Sequence, residues 1–558
     1  MKSAKSIWQS QYNHPGKWDV TFPPLSLPEM FFTSAKRKGE APVLDFMGRK
    51  YSYAKVARAV RSVAKGLQEM GLGKGDRIGL FLPNTPHYVA AYYGALAAGA
   101  TVVNFSPLYT VEELSHQVED SGASILITLT ASALLPSALE VLEKSSLKRL
   151  VVGSVEGTLP CIKSLLFRLF KRSDITKRPS DERITKFSEL LANDGSYAEQ
   201  NIDPENDVAI LQYTGGTTGV PKGAMLTHQN LTANARQINA IDPRSDDEID
   251  RVLGVLPFFH VFANTAVLNR SILNGAEIVM LPRFDAKQAL AAINRTKPTA
   301  MPGVPTMYQA LMDHADISKT SFASMRACVA GGAPLAVEVK ARFEKITGST
   351  LVEGYGLTES SGVVCCNPYE GLNKTGTIGQ PIPGTNIRLL DKNDPSKSAP
   401  EGEPGELIFS GPQVMKGYWN KPEADAEVFV DGFLRTGDVA KIDDLGYISI
   451  VDRIKDMLTV GGFNVFPSRI EAALYSHKAV QDALVIGIQD SFHGERPKAY
   501  VTLRSGHEDS VDGAALKDWV NPQLGKHERV VDVIVRDALP KTMIGKLDRK
   551  ALRAEVLG

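Results

Sequence analysis

Apolar positions along this chain follow two periods in alternation. Val56, Val60, Val63 and Leu67 fall at helical spacing until Gly71 stops them, and the run 77–82 that follows reads as a buried strand. Thr110 with Glu113 three residues later has the form of a capping box opening a further helix, followed by a strand over 124–129. Further strands are expected at 208–211, 252–256, 277–281 and 326–329. Such alternation implies parallel sheets covered by helices on both faces. From Gly376 the texture changes to Gly/Pro turns between short alternating strands at 386–390 and 405–410, the pattern of a small β-barrel or sandwich. A charged link, Asp452 to Asp456, precedes a last stretch of mixed helix and strand. The expected architecture is α/β: a large N-terminal domain over 1–451 with doubly wound sheets and a barrel-like subdomain over 376–451, a hinge at 452–456, and a small mobile α+β domain over 457–558.

One helical pattern is apolar on one side and basic beside it. In 161–172, Ile162, Leu165, Leu166, Leu169 and Phe170 can share a face, flanked by Lys163, Arg168, Lys171 and Arg172. A helix packed on its own domain is the commoner use of such a stripe; an interfacial membrane helix running from Ile162 to Arg172 is the other. The most apolar window, Tyr88 to Val103, is too short and too interrupted by tyrosine and glycine to span a bilayer.

Length and charge narrow the picture. The 558 residues exceed one ordinary core, and 63 basic residues against 63 acidic ones give no electrostatic reason for a nucleic-acid partner. Cys161, Cys328, Cys365 and Cys366 have neither metal-ligand spacing nor the look of a disulfide framework, and the N-terminus lacks a signal peptide's apolar core. A cytoplasmic protein is expected, with peripheral contact to the inner face of the membrane as an extension and a homodimer left open.

Chemistry is concentrated in the stretch Tyr213-Thr-Gly-Gly-Thr-Thr-Gly-Val-Pro-Lys-Gly223. Four glycines, three threonines and one lysine supply close backbone approach, hydroxyl donors and a cation, as a triphosphate requires. Lys222 is followed by Gly223 rather than Ser or Thr, so this is not a Walker A loop. The string resembles the phosphate loop of the adenylate-forming superfamily of acyl-CoA synthetases, luciferases and peptide-synthetase adenylation domains, and its second glycine resembles bacterial long-chain fatty acid–CoA ligases most. Further motifs of that family follow in order, and the resemblance covers about Leu27 to Leu557.

The resemblance implies a role for each motif. Thr214, Gly215, Gly216, Thr217, Thr218, Gly219 and Lys222 would hold the phosphates of ATP. In Glu353-Gly-Tyr-Gly-Leu-Thr-Glu359, Tyr355 would stack on adenine between Gly354 and Gly356, and Thr358 would lie beside the α-phosphate. Glu359, with Thr214, would hold Mg2+, an ion that prefers such hard oxygens. Gly332, Ala333 and Pro334 resemble the adenine-edge loop, with a helix starting at Pro334, and Asp438 the carboxylate that accepts the ribose hydroxyls. Ile450 and Arg453 fall at further nucleotide positions, Lys455 at the hinge, and Gly461, Gly462 and Phe463 in the loop lining the CoA channel. Lys546, in the last motif, would be the catalytic lysine, bridging substrate carboxylate and phosphate.

Phe258, Phe259, His260, Val261 and Phe262 match the family's substrate-side motif, with His260 shaping or gating the pocket. Amino-acid-activating relatives carry Asp where this chain has Phe259, which argues against an amino acid. One departure stands at 526–530, Lys-His-Glu-Arg-Val, where many relatives have Tyr-Lys-x-Pro. The resemblance therefore implies an ATP-dependent fatty acid–CoA ligase with Mg2+ as cofactor and ATP and CoA as co-substrates. An aryl-CoA ligase of the 4-coumarate type and, less in keeping with the retained charged residues, a non-enzymatic lipid-binding or membrane-binding relative remain alternatives.

Overall fold

The computed structural model describes residues 7–214, 221–244, 248–391, 394–461, 463–490, 492–507, 510–542 and 547–557. Within them the chain forms two large sheets, a small antiparallel sheet and a separate C-terminal sheet.

The first large sheet is built on five parallel pairings. Strand Arg77–Leu80 lies between Thr101–Asn104 and Ile125–Leu129; Arg149–Gly153 and Ile184–Lys186 extend one side and Val208–Thr214 the other. Beyond Val208–Thr214 the sheet turns antiparallel through Lys222–Thr227 and Gly417–Tyr418. The second large sheet carries a parallel centre made of Pro42–Phe46, Glu277–Met280, Arg251–Gly254, Ala300–Gly303, Ala327–Ala330 and Leu351–Tyr355. Short antiparallel pieces, among them Cys365–Cys366 and Gln380–Pro381, close its ends. The α/β expectation and its strand positions hold, with ends shifted by up to three residues, the largest being the strand expected at 208–211, which runs on to Thr214.

Helix Pro86–Ala97 shows why the most apolar window belongs inside the protein. Every residue from Tyr88 to Ala97 is buried. Tyr88, Tyr92 and Tyr93 place their hydroxyls on Asn104, Asn264 and Asn269, so the polar tips of a buried aromatic layer are all satisfied. Among the described residues no helix is long and apolar enough to cross a membrane.

The subdomain after Gly376 is a five-stranded antiparallel sheet: Asn386–Leu390, Gly405–Ser410, Phe433–Ile442, Phe429–Val430 and Ile448–Arg453. Its last strand runs directly into the link, where Ile454–Asp456 forms a single tight turn. After it, strands Leu458–Val460, Phe463–Val465, Val480–Asp490, Gly494–Leu503 and Val533–Val535 make a second five-stranded sheet, covered by helices Pro467–Tyr475, Gly513–Val520 and Arg549–Leu557. Its core, with Ile470, Leu474, Val485, Val501 and Leu516, is distinct from the main one.

Candidate active site

Strands Val208–Thr214 and Lys222–Thr227 pair so that Thr214 stands opposite Lys222 and Tyr213 opposite Gly223. The two strands that flank the glycine and threonine loop are therefore antiparallel neighbours. Gly215, Gly216, Thr217, Thr218 and Gly219 lie outside the described residues, but the pairing puts Thr214 and Lys222 side by side at its mouth. Lys222 Nζ lies 5.2 Å from the centre of the Tyr418 ring. The Tyr418 hydroxyl in turn donates to Glu359 Oε1 at 2.7 Å, and Met415 N donates to the Glu359 carbonyl.

Glu359 lies on the short turn Thr358–Ser360, just after strand Leu351–Tyr355. The segment between them needs its glycine, since a Cβ on Gly356 would lie 2.0 Å from the Gly362 carbonyl oxygen. Close backbone approach thus fixes where Thr358 and Glu359 emerge. Among the described residues no group of three or more His, Cys, Asp or Glu could hold a metal ion. The donors present still suit Mg2+, because a carboxylate held by Tyr418 and a nearby hydroxyl are the one or two hard ligands such an ion takes beside phosphate and water.

The surroundings of Asp438 are the most completely built part. Asp438 is buried, and strand pairing sets it opposite Arg453. Arg453 Nε donates to Asp438 Oδ1 at 3.0 Å and the Tyr355 hydroxyl donates to Oδ2 at 2.5 Å. Thr436 Oγ1 accepts from Asp438 N at 3.0 Å, which fixes the turn. Burial, with Asp438 adding to it, raises the Tyr355 pKa well above the ordinary phenol value, so Tyr355 stays a donor. Ile450, in the same strand as Arg453, pairs with Ala440 and packs against the main core.

The adenine-edge loop leaves strand Ala327–Ala330 with Gly332 at φ +80°, and the following helix is Val337–Thr347, three residues later than the start expected at Pro334. The 333–336 segment remains extended loop, with Ala333 half-buried and Pro334 exposed, while Leu335 N donates to Glu353 Oε1 at 3.1 Å. Burial pushes the Glu353 carboxyl up to about 8, against the pull of that amide and of Lys340, so it is protonated at neutral pH.

Acyl motif and adenine loop meet in one cleft, lined by Leu256, Pro257, His260, Phe262, Ala263, Val304 and Gly332. His260 caps the turn Val261–Ala263, its Nδ1 accepting from Phe262 N at 3.3 Å. Three expected pocket residues, Phe258, Phe259 and Val261, do not line this cleft. Phe258 is fully buried, its amide held by Asn84 and its ring edge against Tyr88, and Val261 is buried in the main core. Phe259 is half-buried against that core, so the wall of the cleft comes from His260 and Phe262.

Lys455 sits on the turn Ile454–Asp456; desolvation and the neighbouring Arg453 lower its pKa, while Asp456, Asp438 and Glu359 act on it in the opposite sense. Lys455 therefore feels the charges of Arg453, Asp438 and Glu359. Gly461 N donates to His493 O, and the half-exposed Phe463 stacks on His527 with centroids 3.8 Å apart and planes 16° from parallel. Gly462 and Lys546 lie outside the described residues.

Several contributors carried no signal in the sequence. Tyr418, Trp419 and Asp120 belong to no motif, yet Trp419 Nε1 donates to the Asp120 carbonyl and Tyr213 to its carboxylate, which ties strand Val208–Thr214 to helix Val111–Ser121. His527 belongs to the segment that departs from the family pattern, and Glu528 at the centre of that segment pairs with Arg469 at 2.9 Å.

Comparison with known proteins agrees with this geometry. The AMP-binding enzyme family matches residues 31–419 and the AMP-binding enzyme C-terminal domain residues 469–546. A long-chain-fatty-acid–CoA ligase of Bacillus subtilis (strain 168) is 40% identical over 558 residues, covering 100% of this chain and 99% of its own. A feruloyl-CoA synthase of Amycolatopsis is 34% identical and covers 93% of this chain and 96% of its own. Among solved structures, ATP-bound MatB from Rhodopseudomonas palustris superposes with a TM-score of 0.83 at 27% identity, over 95% of this chain and 99% of that one. The chain belongs to the AMP-binding, adenylate-forming enzyme family.

Proposed function

We propose that this protein is an ATP-dependent fatty acid–CoA ligase, converting a long-chain acid, ATP and CoA into acyl-CoA, AMP and pyrophosphate through an acyl-adenylate. The observation that carries the reading is the convergence on one site of a buried ribose carboxylate, Asp438, the Lys222/Thr214 strand pair and Glu359 beside an acyl motif with no acidic residue. The full-length similarity to a long-chain-fatty-acid–CoA ligase supports the substrate class.

In the first half-reaction an oxygen of the fatty acid carboxylate attacks the α-phosphorus and pyrophosphate leaves. Asp438 and Tyr355 orient the nucleoside, and Lys222 and Thr214 stand where phosphate charge must be met. Glu359 and Thr214 would hold Mg2+, which when bound would supply charge neutralisation on the phosphates. Lys546 is the proposed cation spanning substrate carboxylate and phosphate. In the second half-reaction the CoA sulfur attacks the acyl carbon and AMP leaves. Lys455 is the proposed pivot between the two arrangements of the C-terminal domain, and Gly461, Gly462 and Phe463 the proposed lining of the thiol's path. Cytoplasmic residence completes the reading.

The test is pyrophosphate release with Mg-ATP and CoA across saturated acids of increasing length, with benzoate and coumarate alongside. A maximum at long chains is the expected result. Turnover with the aromatic acids alone would move the protein to the aryl-CoA ligases, a reading that the feruloyl-CoA synthase relative and the small cleft keep in play. Lys546→Ala should lose adenylation by about three orders of magnitude or more and still thiolyse supplied acyl-adenylate.

A further inference from the structure

Helix Cys161–Phe170 is packed the wrong way round for a helix of a soluble surface. Ile162, Leu165, Leu166, Leu169 and Phe170 recur at i, i+3, i+4, i+7 and i+8, the spacing of a core-facing stripe. Their exposures are 76%, 60%, 47%, 64% and 75%. The helix is tied to the body by its other side. Phe167 packs against the main core, and Lys163 Nζ donates to the Met47 carbonyl at 2.7 Å. The preceding turn is pinned by Arg49 on the carbonyls of Gly157 and Leu159 and by Tyr51 on that of Thr158. This anchoring holds the apolar stripe outward.

Five contiguous large apolar side chains turned to water on one short helix form a patch that calls for an occupant. The surrounding sequence selects which one. Between 161 and 180 stand Lys163, Arg168, Lys171, Arg172, Lys177 and Arg178 against Asp174 alone, in a chain whose net charge is zero. A second copy docking face to face through this helix would bring two basic flanks together, a like-charge juxtaposition that opposes association. An anionic bilayer meets both features, taking the apolar stripe among its acyl chains and the basic flank among its headgroups.

We propose that helix Cys161–Phe170 docks this protein peripherally on anionic lipid surfaces, lying in the interface plane with its apolar stripe inserted. The consequence for turnover, that acid held in the bilayer is a working substrate pool, rests on the fatty acid ligase reading above; the docking itself does not.

The experiment is sedimentation of the full-length protein with vesicles of phosphatidylcholine alone or mixed with phosphatidylglycerol, beside pyrophosphate release with a soluble medium-chain acid. Wild type should bind the mixed vesicles, more weakly as salt rises, and bind pure phosphatidylcholine poorly. Ile162→Ser, Leu169→Ser and Phe170→Ser combined should weaken vesicle binding by about tenfold or more, with turnover of the soluble acid unchanged. Lys171→Glu should weaken it on mixed vesicles alone. Wild type left in the supernatant, or a triple variant that binds equally well, overturns the proposal, as does a dimer in solution that the triple variant dissociates while vesicles recruit neither. Vesicle binding without pyrophosphate release from any acid would count against the ligase reading and leave the docking intact.

Discussion

Asp438 is engaged from two directions, by Arg453 on one carboxylate oxygen and Tyr355 on the other. In the ribose role proposed for Asp438, the ribose hydroxyls must share the carboxylate with these donors or displace them. Asp438→Asn keeps the size, removes the charge and leaves Arg453 without its ion-pair partner, so AMP affinity measured by calorimetric titration should fall about tenfold to a hundredfold. Unchanged affinity would remove Asp438 from the ribose role. Glu353 makes a prediction of the opposite kind, on stability. Its folded pKa near 8 lies above the ordinary carboxyl value of 4.5, so the folded state holds a proton that the unfolded chain releases. Its contribution is complete below about pH 4.5 and is lost as pH rises towards 8. Glu353→Gln retains the acceptor for Leu335 N and abolishes that titration. The variant should melt with wild type at pH 5 and above it at pH 8.5, by thermal denaturation in matched buffers.

Individual elements explain where sequence reading succeeded and where it stopped. Helix Tyr53–Glu69 and the Thr110/Glu113 capping box were legible because spacing and capping are local properties. The acyl motif was only half legible. His260 and Phe262 reach the cleft, but Phe258 is claimed by Asn84, a residue 174 positions away that no local pattern connects to it. The start of helix Val337–Thr347 was misplaced because Pro334, though suited to a first turn, is followed by Leu335, whose amide is taken by Glu353 from another strand. At the C-terminal end, Arg549 at the start of helix Arg549–Leu557 donates to Asp456 at 2.8 Å, to Glu471 at 2.6 Å and to the Val485 carbonyl at 3.0 Å. This arginine joins the chain just after the proposed catalytic lysine to the residue beside the hinge. Removing it leaves two part-buried carboxylates near each other without their cation, so Arg549→Met should destabilise the C-terminal unit by roughly 2–4 kcal/mol. Limited proteolysis should then cut beyond residue 456 well before wild type is cut, and equal cutting rates would show that the triad contributes little.

At the scale of the whole molecule, the order of motifs identified the family, while the assembly of the site depends on strand register and on contacts between distant segments. Thr214 opposite Lys222 and Asp438 opposite Arg453 follow from sheet register, and Tyr418 meets Glu359 across 59 residues. The same long-range packing buries three histidines in different places. His14, in the N-terminal segment, lies near Gln380 and Cys366, His87 packs edge to face with Phe187, and His228 opens the helix that follows strand Lys222–Thr227. Burial lowers each to about 4 from an ordinary 6.5. The unfolded chain therefore takes up protons near pH 6.5 that the folded state refuses, and stability is lost as pH falls from 6.5 towards 4, by up to ~1.4 kcal/mol per pH unit for each histidine. Over that interval the Glu353 contribution moves the other way, but one carboxyl opposes three imidazoles. The melting temperature should thus drop steeply below about pH 6, and His87→Phe, which removes an imidazole whose Nδ1 has no hydrogen-bond partner among the described residues, should flatten the drop by about half. A melting temperature level from pH 7 to 5 in both proteins would show that these imidazoles find protons or water in the folded state.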